Sequence, residues 1–79
     1  SNSRIRIEGN TDNVGSEASN IILSKKRAQS VVDYLVNTHK MSRNRFVVIG
    51  NGPNKSISTN DTEEGRAKNR RTDFELIGE

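Results

Sequence analysis

From residue 21 onward, Ile21, Ala28, Val31, Val32, Leu35 and Val36 recur at three- and four-residue steps, which sets them on one side of a helical wheel. This stripe carries most of the apolar side chains that can form a core, so whatever the chain folds into must be built against it. The constraint is tight because the chain has 79 residues, of which 29% are hydrophobic and 29% charged. A domain of that size buries only about 60% of its unfolded surface. So polar a balance would suit a disordered chain if the few apolar residues were not so regularly spaced.

Three further segments read as strands. Ile5 and Ile7 alternate with Arg4, Arg6 and Glu8, the period-two pattern of a strand with one buried face, over about 3–8. Arg45 to Ile49 is rich in β-branched and aromatic residues and is closed by Gly50, giving a strand at about 45–49. Thr72, Phe74 and Leu76 alternate with Arg71, Asp73 and Glu75, giving a last strand at about 70–77. Phe46 and Phe74 both fall on these patterns, where core packing is the better reading.

The main helix is expected over about 25–38 with Ser24 as its N-cap, while Ser16 caps a separate short turn across 17–20. Its end is expected near His39 and Lys40, whose charges suit the C-terminal end of the dipole. His39 has no neighbouring nucleophile or acid cluster and reads as a surface residue. The segment GNGPNKSISTND is turn chemistry, after which Asp61 or Asn60 caps a short helix over about 62–68 with Glu63 and Glu64 in its first turn. The order strand, helix, strand, short helix, strand gives a two-layer α/β (α+β) fold, one main helix covering one face of a small mixed sheet.

Cysteine is absent, so no disulfide framework or thiolate metal site can form. No apolar run approaches the ~20 residues of a membrane span, and no membrane insertion by this segment is expected. Ser1 and Asn2 resemble residues left by cloning, and a strand opening at residue 3 reads as the middle of a domain rather than its start.

Residues 9–16, GNTDNVGS, form a polar loop longer than a turn requires. Asp12 lies at the carboxyl end of the first strand, where open α/β sheets place ligands. Against this stands the plainer reading that it closes an Asx turn. Arg27 flanks the apolar stripe in the first turn after Ser24, either as a ligand-facing group or as a solvated arginine with its stem on apolar surface. Together the two charges could hold a zwitterion, the carboxylate taking an ammonium and the guanidinium a carboxylate, or could pair with each other. The basic run RAKNRR at 66–71 and a net charge of +3 allow polyanion or nucleic-acid binding as an alternative, though a solvated basic face is the better reading.

Three motifs occur in order: IEGNTDNVGS, then N-x-x-L-S-x-x-R-A across Asn20 to Ala28, then N-D-T-x-E-G-R-A-x-N-R-R across Asn60 to Arg71. In these the chain resembles the OmpA-like peptidoglycan-binding domains of outer-membrane protein A, peptidoglycan-associated lipoprotein and flagellar stator proteins, from Arg4 to Leu76. The resemblance implies a periplasmic, non-catalytic module of Gram-negative bacteria, attached to an envelope parent protein, that grips the diaminopimelate of the peptidoglycan stem without cofactor or metal. It assigns that grip to Asp12 and Arg27. Thr11, Asn13 and Leu23 flank them as pocket-lining candidates, and Asn69, Arg70 and Arg71 lie near the same rim. Nucleic acid is not among the partners it implies.

Two departures stand out. Asn10 replaces the histidine usual in the family, and the strand and helix that begin related domains are missing. The resemblance therefore implies a sheet in the order 70–77, 3–8, 45–49, with the last strand antiparallel and its outer edge bare, and self-association through that edge is expected.

Overall fold

The computed structural model describes residues 3–78, so Ser1 and Asn2, read above as a cloning remnant, lie outside the described residues. The chain runs β1 (Arg4–Asn10), α1 (Glu17–His39), a 3-10 turn (Arg43–Arg45), β2 (Phe46–Gly52), α2 (Glu63–Asn69) and β3 (Thr72–Ile77). The three strands form one sheet in the order β2-β1-β3. β2 lies parallel to β1 and β3 antiparallel, so the sheet is mixed as expected.

Register decides which side chains share a face. Ile5 stands opposite Phe46 and Leu76, and Ile7 opposite Val48 and Phe74, so these six residues line one side of the sheet. α1 packs on the β1–β2 half of that side, and its Ala28 and Val32 join Ile7 and Phe46 in the buried core. Phe74 corrects the sequence reading. It is 59% exposed, and Leu76 beside it 70%, because the helix lies over the other two strands and leaves the β3 half uncovered. The opposite face is polar on β1 and β3, where Arg6 pairs with Glu8 at 2.9 Å and with Glu75, and carries Val47 and Ile49 on β2.

The start of the main helix also differs from expectation. α1 is a single helix from Glu17, capped by Ser16, whose Oγ accepts the Ser19 N–H at 3.1 Å. Ser24 caps nothing. It is fully buried in the line Asn20, Ser24, Ala28, Val32 that faces the sheet, and its hydroxyl donates to the Ile21 carbonyl and accepts the Gly52 N–H, both at 2.9 Å. A serine favoured at helix starts serves here as a small polar contact between helix and strand end. The two glycines that meet this segment explain the close fit: a Cβ on Gly9 would collide with the Ser24 carbonyl, and Gly52 has φ +56°.

At its other end α1 stops where expected. Lys40 takes the left-handed conformation, φ 58°, and its N–H bonds the Leu35 carbonyl. β2 continues beyond Ile49 to Gly52 because Gly50 pairs with Gly9 and Gly52 with Asn10 across a bulge. α2 is capped by Thr62, whose Oγ1 accepts the Gly65 N–H at 3.0 Å. Neither Asp61 nor Asn60 does this. The Asn60 side chain instead accepts from Asn69, and Asp61 gives its N–H to Thr59 Oγ1. Among the described residues no helix is long and apolar enough to cross a membrane.

Candidate functional site

The loop after β1 is pinned at its root by both neighbouring strands. The Asn10 N–H donates to the Arg71 carbonyl and the Thr11 N–H to the Gly52 carbonyl, each at 2.9 Å. Asn10 is buried and shapes this root. Its Nδ2 donates to the Glu8 and Arg71 carbonyls, and its Oδ1 accepts from Asn51 Nδ2 at 3.0 Å. The same Asn51 nitrogen reaches Glu8 Oε1 at 2.8 Å, and Lys55 Nζ at 3.1 Å completes the contact. These bonds, Asn51's first, hold the Glu8 carboxyl below its usual range. Above the root, the loop closes on α1, where Asn20 Nδ2 donates to the Val14 carbonyl at 2.9 Å and Gly15 takes φ +90°.

Asp12 sits in this frame with only 8% of its surface exposed. Its Oδ1 accepts the Val14 N–H at 3.1 Å, the Asx turn of the plainer sequence reading. Its Oδ2 accepts from Arg70 Nη1 at 2.7 Å. Arg70's hydrogen bond, then Val14's, hold the Asp12 carboxyl below its usual range, so it is ionised at neutral pH. The other end of the Arg70 guanidinium, Nη2, donates to Glu63 Oε2 at 2.5 Å.

The structure does not pair Asp12 with Arg27. Arg27 is exposed and has neither hydrogen bond nor ion pair among the described residues. Nor does it lie in the first turn of its helix, since α1 starts ten residues earlier, at Glu17. Ser24 abuts Gly9, three residues before Asp12, and because α1 runs back along the sheet, Arg27 lies about 4.5 Å further along the helix axis on the side away from the loop. The first turns of α1 thus project past the sheet. Leu23 lies one turn before Arg27 on the same flank and is 40% exposed.

The remaining candidates divide. Thr11 is buried and its hydroxyl donates to the Asp12 carbonyl at 2.7 Å, while Asn13 is exposed on the loop. Asn69 is fully buried with its amide filled: Oδ1 accepts the N–H groups of Ile57 and Ser58, and Nδ2 donates to the Ser58 carbonyl and Asn60 Oδ1. It staples the 57–60 loop to α2 and has no group left to line a pocket. Arg71 is likewise engaged, with Asp73 through Nε and with the Lys55 carbonyl through Nη2.

Sequence reasoning missed Glu63 as part of the site, reading it only as a helix-start acid. A signal was present: Glu63, Arg66 and Arg70 are three and seven residues apart, one face of a helix. Arg66 Nε does pair with Glu63 at 3.3 Å. Among the described residues no group of three or more His, Asp or Glu could hold a metal. The structure thus shows an ionised, mostly buried carboxylate in the loop and, separately on α1, an exposed guanidinium without a partner among the described residues.

Comparisons with known proteins agree on the kind of domain. Residues 1–70 match the OmpA family. Outer membrane protein A of Bordetella avium is 47% identical over 70 residues, which are 89% of this chain and 36% of that protein. Peptidoglycan-binding protein ArfA of Mycobacterium tuberculosis is 46% identical over 71 residues, 90% of this chain and 22% of that protein. The crystal structure of the peptidoglycan-associated lipoprotein from Burkholderia pseudomallei superposes with a TM-score of 0.83 at 28% identity, covering 98% of this chain and 63% of that one. The chain thus spans well under half the length of these two sequence relatives.

Proposed function

The chain belongs to the OmpA family, and from that premise we propose that it binds peptidoglycan in the periplasm and so anchors a parent envelope protein to the cell wall. The observation that carries this is the family match, joined to relatives whose names are peptidoglycan-binding protein and peptidoglycan-associated lipoprotein. The ligand is the diaminopimelate of the peptide stem, whose free end is a zwitterion. Asp12, held in the loop through the Val14 N–H, takes the ammonium on its carboxylate, and Arg27 takes the carboxylate through its planar fork. Thr11, Asn13 and Leu23 line the pocket, Thr11 also bonding the Asp12 carbonyl and Leu23 covering the aliphatic stem. The role is retention without turnover.

Polyanion binding through residues 66–71 is the weaker reading. Arg66, Arg70 and Arg71 are already paired with Glu63, Asp12 and Asp73, which cancels most of the charge a phosphate backbone would need.

Retention on purified sacculi, competed by free diaminopimelate, tests the proposal. Lysine-type walls lack the carboxylate assigned to Arg27 and should be retained more weakly by about 2–4 kcal/mol. Equal retention on the two wall types would remove diaminopimelate as the ligand, and binding that collapses with salt but ignores diaminopimelate would point to the polyanion.

A further inference from the structure

The guanidinium of Arg70 is divided between two acids of unlike environment. Nη1 donates to Asp12, whose side chain is 11% exposed, and Nη2 donates to Glu63, whose side chain is 64% exposed. Both carboxyls are held below their usual range with the Arg70 hydrogen bond as the leading cause. Arg70 caps the C-terminal end of α2 and Glu63 opens the same helix, so one short rigid element presents the cation and its second acid together.

We propose that Arg70 is a built-in occupant of the ammonium seat on Asp12, and that Glu63 is the positioning residue that draws it away when a ligand ammonium arrives. This rests on the reading that Asp12 takes an ammonium. In the free protein Arg70 Nη1 fills the most direct approach to Oδ2. An incoming ammonium that takes this approach frees Arg70 to turn both nitrogens onto Glu63, which lies within reach already. Asp12 then exchanges one cation for another, and Arg70 keeps two charge-assisted bonds by turning both nitrogens onto Glu63, whose Oε1 it shares with Arg66. Without Glu63, the same exchange would strand Arg70 with no acid partner. The device discriminates against weak cations, because only a ligand that also engages Arg27 gains enough to displace a resident guanidinium.

Titration of the 79-residue chain with free diaminopimelate, followed by calorimetry, tests this through Asp12→Asn, Glu63→Gln, Arg70→Gln and the Glu63→Gln/Arg70→Gln double variant, with thermal melts confirming folding. Glu63→Gln should weaken binding by about threefold to fivefold, the scale of an exposed ion pair. Arg70→Gln should strengthen it or leave it unchanged, and Glu63→Gln should have no effect in the Arg70→Gln background. Wild-type affinity in Glu63→Gln, a loss in Arg70→Gln, or additive losses in the double variant would overturn the proposal. Asp12→Asn separates the two levels: if it binds as well as the wild type, the reading of Asp12 as an ammonium site fails, and if it alone loses binding, only the role of Arg70 and Glu63 fails.

Discussion

At the scale of single residues, function and fold separate most sharply at Arg27. The Arg27→Lys variant should keep α1 intact, since lysine has similar helix propensity and its stem can cover the same flank. Losing the planar fork should lower sacculus retention about tenfold, roughly 1.4 kcal/mol, with an unchanged melting curve. Wild-type retention would place the ligand carboxylate elsewhere. Asp12 predicts a pH dependence. Its carboxyl is held below the ordinary 3.8 in the fold, so the stability it contributes is complete above about pH 4 and is lost as pH falls through the lowered value. Glu8, held below 4.5, acts in the same direction. Acid unfolding followed by circular dichroism should therefore show a limb below about pH 4 that Asp12→Asn and Glu8→Gln each flatten. Both charged candidates were legible as residue types at a strand end and a helix flank. The partnership of Asp12 with Arg70 was not, because 58 positions of chain separate them and only the packing of α2 beside the loop brings them together.

At the scale of elements, all three strands and both helices were legible, since period two and period 3.6 survive in so short a chain. What misled was the meaning of Ser24. Its residue type favours a cap, yet the helix already had one at Ser16, and the position demanded something small enough to sit between Gly9 and Gly52. Local preference gave way to tertiary packing. The same crowding gives a prediction: Gly9→Ala should destabilise the fold by about 1–3 kcal/mol, because the added methyl meets the backbone of α1 rather than a side chain that could swing aside. Chemical denaturation would read the loss directly, and an unchanged midpoint would mean that helix and strand can part without cost. Phe74 shows the complementary limit. Alternation told which face it shares, and only the placement of α1 told that this part of the face is open.

At the scale of the whole molecule, the sheet is half dressed. β3 is an edge strand, Phe74 and Leu76 stand exposed on it, and Tyr34 and Leu23 of α1 are exposed as well. Unpaired edges with apolar neighbours recruit other chains, so the 79-residue chain is expected to self-associate. Sedimentation velocity should show an average mass that rises with concentration, and Phe74→Glu should suppress the rise. A strictly monomeric wild type at high concentration would count against it. The arrangement of the sheet carries a mechanical consequence too. The loop that holds Asp12 leaves from β1, the central strand, and is tied at its root to the ends of β2 and β3. A tug on anything gripped there runs along the middle strand and strains the hydrogen bonds to both neighbours at once, in shear, instead of peeling them apart one after another from an edge.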